Sequence, residues 1–253
     1  MFVDVDDYLL PDTLKDAMDI VEKYHDADFC VFGHNRISRD GTVAQSRFSS
    51  CKYRKNDILN YIKNANALTL GSPWSKIFKK AFIDKHGFRF DSRLISFEDI
   101  CFNLCLLGAC SCFATSELCL YCYDVNYQSA TAKFKGEIYV HDVNIYMETI
   151  REIIPSLATE HDNNIVSEII SSAQKTICFH TIYEIYNLYR QKKSRGLNRY
   201  KWLNRLVEFM EGINPEWKNV FSSGFPRLFV LLHSIHPKYA HIMMNLIFYF
   251  KRQ

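Results

Sequence analysis

Three short clusters in this 253-residue chain combine residue types that could act on a ligand. The first is Asp4-Val5-Asp6-Asp7, carboxylates gathered directly after the apolar pair Phe2-Val3. Read as the tail of a buried strand, Phe2-Val3 delivers these acids to the surface at a strand's carboxyl end, where open α/β sheets bind ligands. Hard oxygen donors there suit Mg²⁺ or Mn²⁺, ions that bridge phosphate oxygens. The same residues also make a polar turn followed by a helix start. The second cluster is Glu98-Asp99. Ser96, with an acid three positions on, fits a capping box opening a helix over 100–107. A carboxylate in a first helical turn is held as the anion, which also suits a general base. The third is Gly71-Ser72-Pro73-Trp74-Ser75-Lys76. A Trp face can stack on a sugar or a base and a Lys can meet a phosphate, while a core Trp beside a solvated Lys accounts equally for the pair.

The elements that must position these residues follow from periodicity and breakers. Pro11-Asp12 is expected to open a helix whose apolar face is Leu14, Met18 and Val21. Strands are expected at 29–34 and 118–123, and Val43 to Ser49 as a hairpin partner across the Asp40-Gly41 turn. A charged helix is expected over 57–63, and another over 74–86 that Gly87 closes. From Gly136 onward the pattern is helical, roughly 137–154, 162–191, 198–211 and two pieces after Pro226. The change in composition near residue 135 divides the chain into 1–135, carrying the three clusters, and a helical extension, 136–253.

Apolar residues make up 48% of the chain and aromatics 15%, enough for a sizeable core and too much for a disordered class. Charge is uneven: residues 190–253 carry 12 Lys/Arg against 3 Asp/Glu, while residues 1–189 carry 19 against 25. A basic end whose cations alternate with long apolar runs fits lipid headgroups better than nucleic acid. No secretory signal is visible, and the apolar stretch 228–250 is interrupted by His233, His236, Pro237, Lys238, His241 and Asn245, so contact with a membrane surface is expected rather than a span. Nine cysteines without such a signal point to thiols in a reducing cytosol. Six of them lie between Cys101 and Cys122, where zinc binding and core packing are the alternatives, packing being favoured by their apolar helix and strand settings.

Taken in order, Phe-Val-Asp-Val-Asp-Asp-Tyr-Leu from Phe2, Gly71-x-Pro-Trp-x-Lys-Ile-Phe-Lys, His86-Gly-Phe-Arg-Phe-Asp and Glu98-Asp-x-x-Phe-Asn resemble family 2 glycosyltransferases, in the branch that builds bacterial capsule, O-antigen and exopolysaccharide. The resemblance covers residues 1 to about 131. It implies an α/β fold, an incomplete Rossmann-like GT-A core with a C-terminal α-helical extension. It implies sugar transfer with inversion from a nucleotide-sugar donor to a glycan or polyprenyl-linked acceptor. Peripheral contact through 225–252 with the inner face of the cell membrane is read from the apolar and basic residues of that stretch, the alternative being a helical subdomain that packs its apolar face on the catalytic body. Asp4 and Asp6 match the two acids that hold Mn²⁺ or Mg²⁺; Asp99 matches the catalytic base, with Glu98 beside it. Asp7, Trp74 and Lys76 fall where the family lines its substrate groove. Two departures are visible. Ser75 replaces the family's Asn, and Tyr123-Asp124 stands where many members read Tyr-Arg, which removes a cation from that loop. The blocks that usually precede the metal motif and hold the nucleoside are also absent, a segment on the order of a hundred residues at about 30 per βαβ unit. A truncated, non-catalytic remnant or accessory protein is the alternative expectation.

Overall fold

The computed structural model describes residues 1–38, 40–65, 71–125, 133–190 and 198–250, with side chains through 247. Two parallel strands organise the first of its two compact units, Met1–Tyr127 with Asn144–Ile169. They are β2 (Phe29–Ile37) and β6 (Cys112–Asp124), and each changes its outer neighbour halfway along. In the first half, β5 (Lys76–Phe78) pairs antiparallel with β2 and β4 (Cys51–Arg54) with β6. In the second half, β3 (Val43–Ser46) takes over beside β2 and β1 (Tyr8–Leu9) beside β6. The register between β2 and β6 slips at the changeover: Val31 faces Thr115, Gly33 faces Cys119 and His34 faces Tyr121. Such irregularities bend a strand and re-aim its side chains. Here Tyr121 and Tyr123 join His34 and Arg36 on the face that carries Ala114 in the first half, although strict alternation from Ala114 would send them to the other side.

Helix α1 (Thr13–Lys23) covers that face, burying Thr13, Ala17 and Ile20 against Cys30, Phe32 and Tyr121. The expected face was one step off. Leu14 and Met18 are exposed, because the Thr13 hydroxyl is tied to the Leu120 carbonyl at 2.9 Å and so fixes the helix's rotation. The opposite face carries Phe29, Phe113 and Phe78, with Phe29 and Phe113 stacked at 5.1 Å. It is covered by α2 (Ile58–Asn64), which follows a 3-10 turn at Lys55–Asp57, and by α4 (Glu98–Ala109), whose Phe102 meets Phe78. Between β5 and α4 lies the short α3 (Lys80–His86), closed by Gly87 in the left-handed region.

Three expectations need correction. Residues 1–4 form no strand: Phe2 turns its ring onto Phe78, Phe90 and Phe102 instead. The segment 74–86 is not one helix, because Lys76–Phe78 pair with β2 and only Lys80 onward winds up. The α4 start is no capping box: the N-cap is Phe97, the one non-glycine residue with positive φ (66°) among the described residues. Its ring stacks at 5.1 Å on Tyr146 of α5 (Glu137–Ser156), which offsets an uncommon backbone geometry.

The second unit comprises Gln128–Val143 and Ile170–Gln253. It holds the start of α5, most of α6 (Asn163–Arg190), α7 (Arg199–Ile213), α8 (Gly224–Ile235) and α9 (Pro237–Phe250). The expected helices are all found within a few residues. The buried Glu184 carboxylate accepts the backbone N–H groups of Lys135 and Gly136, satisfying donors just ahead of α5. Asn198 caps α7 by accepting from the Lys201 N–H at 3.0 Å. Phe229 and Met244 are buried, whereas Leu228, Leu231 and Ile235 form an exposed stripe on α8, and Ile242 and Leu246 another on α9. No helix among the described residues is long and apolar enough to cross a membrane.

Gly33 sits at the changeover, where a Cβ would stand 2.4 Å from the Ser46 carbonyl oxygen and 3.0 Å from Cys119 Sγ. Backbone cannot yield as a flexible side chain does, so Gly33→Ala should separate β3 from β2. The expected loss is about 1–3 kcal/mol, as for overpacking, read as a lower denaturation midpoint; an unchanged midpoint would show that the strands open there freely.

Candidate active site

The acidic turn is held by one phenol. Tyr121, fully buried on β6, accepts the Asp4 N–H at 3.0 Å and donates its own hydrogen to Asp7 Oδ2 at 2.7 Å. The other Asp7 oxygen accepts the Asp124 N–H at 2.9 Å, and the Asp7 N–H closes the turn onto the Asp4 carbonyl at 3.1 Å. Asp7 thus lashes the turn to β6, and Asp4 and Asp6 project from it, exposed. Partial burial pushes the Asp4 carboxyl above its ordinary range, helped by the charges of Asp7 and Asp6; burial does the same to Asp7, against the hydrogen bonds it accepts.

Trp74 lies behind this network. Its ring stacks on Tyr121 at 4.5 Å and on Tyr123 at 5.7 Å, with the His34 ring edge-on at 4.9 Å, and it is only 7% exposed. It was expected to wall a groove; the structure gives it to the core, where it braces Tyr121. Tyr121 itself is the residue that sequence reasoning passed over. The signal was there in the Tyr-Cys-Tyr alternation of 121–123, whose two aromatic side chains share a face.

Asp99 and Lys76 form a second, deeper group. Lys76 is 3% exposed, paired in register with Val31, and its Nζ donates to the Ser72 carbonyl. Burial lowers its ammonium to about 7, opposed by the charge of Asp99. Asp99, half-buried in the first turn of α4, is raised to about 7 by burial, then by the charges of Glu98 and Asp4, with Lys76 acting the other way. Lys76, read from the sequence as a groove lysine able to meet a phosphate or else as a solvated one, is instead enclosed, and the carboxylates of Asp99 and Asp4 feel one another electrostatically.

A divalent cation would find hard donors at Asp4 and Asp6, and among the described residues no hydrogen bond or ion pair engages the Asp6 carboxylate. Among the described residues no three His, Cys, Asp or Glu side chains converge to enclose a metal. An ion there would have to complete its shell from water or from a ligand's phosphates, as Mg²⁺ can. The cysteines are all free, and Cys101, Cys110, Cys112 and Cys122 are buried. Burial raises the thiols of Cys101 and Cys110, to about 11 and about 12, which disfavours the thiolate that zinc needs. Two open concavities of about 520 and 430 Å³ flank β4, but neither is lined by any of the acids, by Trp74 or by Lys76.

No protein-family model matches the chain, and no curated protein matches it in sequence. Solved structures do match in fold. S. aureus TarS 1–349 in complex with UDP superposes with a TM-score of 0.58 at 18% identity, over 97% of this chain and 63% of that one. The complex with UDP-GlcNAc gives 0.56 at 19% identity, over 98% and 64%. The chain has the α/β fold of a glycosyltransferase. It spans just under two thirds of the length of these TarS structures.

Tyr121→Phe removes the hydroxyl that joins Asp4 to Asp7 while keeping the ring against Trp74. Leaving two polar partners unpaired should cost about 1–3 kcal/mol, measured as a lower urea midpoint with an unchanged slope. A midpoint identical to the parent's would remove Tyr121 as the tether of the acidic turn.

Proposed function

We propose that the protein transfers a sugar from a nucleotide-sugar donor to an acceptor hydroxyl, with inversion, in the assembly of a cell-surface polysaccharide. The observation that carries this reading is the placement of Asp99, a carboxylate poised near neutrality, within electrostatic reach of Asp4 on the acidic turn. The fold likeness to structures holding UDP and UDP-GlcNAc supports the donor class.

In this reading the acceptor hydroxyl gives its proton to the Asp99 carboxylate as its oxygen bonds to the anomeric carbon. The bond from that carbon to the diphosphate oxygen breaks, and its electron pair leaves with the nucleotide. A base with a pKa near the working pH is matched to such a transfer. Asp6, with Asp4, would hold Mg²⁺ or Mn²⁺, which when bound neutralises charge on a departing diphosphate. Burial raises the Asp99 proton affinity most, Glu98 adds to it by like charge, and Lys76 tempers it. Asp7 and Trp74 serve from behind, through Tyr121, by fixing the turn from which Asp4 and Asp6 project.

Transfer from UDP-GlcNAc, used as the probe donor in the presence of Mn²⁺, tests the assignment. Asp99→Asn should lower kcat by about 10²–10⁴, the contribution of a positioned base, with UDP binding by calorimetry unchanged. Because only the ionised carboxylate accepts a proton, the parent rate should climb as pH rises through about 7. Full turnover by Asp99→Asn would take this residue out of the mechanism, and a parent that binds no UDP would overturn the donor class.

Contact with a membrane surface through 225–252 is the reading for the C-terminal helices. It is supported by the exposed Leu228, Leu231 and Ile235 of α8 and Ile242 and Leu246 of α9, set among Arg227 and Lys238. Lys251, Arg252 and the Phe250 side chain lie outside the described residues. The protein should co-sediment with vesicles containing anionic lipid at low salt, and Leu231→Glu with Ile235→Glu should abolish this. Binding that survives the double substitution would place the contact elsewhere.

A further inference from the structure

Helix α4 carries a second polar residue on the stripe of Asp99. Asn103 is one turn further on, so the two side chains emerge from the same side of the helix. Asn103 is 2% exposed, and among the described residues neither its Nδ2 nor its Oδ1 has a hydrogen-bond partner. Folded proteins rarely leave both ends of a buried amide unpaired, and such a group calls for an explanation. It is also set in an apolar run, between Phe102 and Leu104, where any aliphatic residue would pack more cheaply.

The side chain borders a small enclosed space together with Lys76, Tyr61, Phe29, Val31 and Leu107. Its volume of about 10 Å³ is close to the ~10–15 Å³ of probe-occupied space that one water needs. The space is too small for an organic ligand, and two polar side chains besides Asn103 reach it. Lys76, as an ammonium, has three N–H donors, and the Ser72 carbonyl takes one of them. A water in this space would complement both of these lining side chains: it accepts from the ammonium and donates to the amide oxygen.

We propose that this space is a binding site for a single ordered water that links the Asn103 amide to Lys76, making Asn103 a positioning residue for the Lys76–Asp99 pair. Through the water, Asn103 lends the buried ammonium the hydration it loses on folding. The cation then persists beside the Asp99 carboxylate and holds the acid–base pair in one arrangement. The water site stands on geometry alone; only its bearing on sugar transfer rests on the function proposed above.

NMR on lysine-labelled protein tests this without recourse to activity, the Lys76 signal being assigned by its loss in Lys76→Met. Three proteins would be titrated: the parent, Asn103→Leu, which keeps the volume and removes the dipole, and Asn103→Asp, which adds a charge. Asn103→Leu should lower the proton affinity of Lys76 about tenfold by leaving it drier, and Asn103→Asp should raise it. The parent should also show a cross-peak between bound water and the Asn103 amide hydrogens that Asn103→Leu lacks. If Asn103→Leu does not fold, Asn103→Ser keeps a polar group with more room and should retain both the water and a parent-like Lys76. A Lys76 titration indifferent to Asn103→Leu and Asn103→Asp, with no water cross-peak in the parent, would overturn the proposal. A parent that transfers no sugar while its Lys76 responds as described would sink the proposed transfer and leave the water site standing.

Discussion

The hydrogen bond from the Tyr121 hydroxyl to Asp7, with the Asp4 N–H arriving at the same oxygen, is the constraint on which the rest of the site depends. A turn carrying three carboxylates within four residues repels itself, and nothing in its own chemistry gives it one shape. The phenol supplies that shape because it is both donor and acceptor and because its own position is not negotiable. It is fully buried on a central strand, with its ring stacked on Trp74. The β2–β6 pairing, the aromatic stack and α1 together convert a flexible acidic segment into a fixed display of Asp4 and Asp6.

The same sheet positions the second group from its opposite face. Lys76 and Phe78 enter beside Val31 and Phe29, and α4 lies over them, so a cation that local composition leaves free to find solvent is enclosed. Burying an ammonium and a carboxylate near one another costs desolvation on both, which drives their proton affinities toward each other. Both come to about 7 for that reason. Each charge partly offsets the other's desolvation, so the ammonium favours the ionised carboxylate and the carboxylate favours the ammonium. Phe97, in left-handed geometry immediately before Glu98-Asp99, belongs to the same economy: its stacking on Tyr146 holds a backbone shape that aims the first turn of α4.

Much of this was readable from the chain. Helix positions after residue 136 follow from long apolar periodicities that local physics alone enforces, and Gly87 ends α3 because a left-handed cap favours glycine. Asp4, Asp6, Glu98 and Asp99 stood out through the order and spacing of the clusters together, since acids in turns and first helical turns have ordinary structural uses when taken singly. The misreadings share a cause. Ser96 resembles a cap, Leu14 and Met18 resemble a buried stripe, and 74–86 resembles one helix, since local pattern cannot register a hydrogen bond to a distant partner. Thr13 bound to Leu120 and Lys76 paired with Val31 are such partners, and each overrode the local preference.

By itself, the sequence determined where the helices run and that an α/β core precedes a basic helical end, and it marked the residues whose types suit chemistry, because these depend on side-chain type and short-range periodicity. Tertiary structure alone decided which of those residues meet. The slip in register between β2 and β6 turned Tyr121 toward Trp74 and the acidic turn, and packing of α4 over β5 enclosed Lys76 and Asn103 with Asp99 nearby. Both outcomes turn on the alignment of strands far apart in the chain, which is set by the summed packing of many residues and leaves no mark on any short stretch of them.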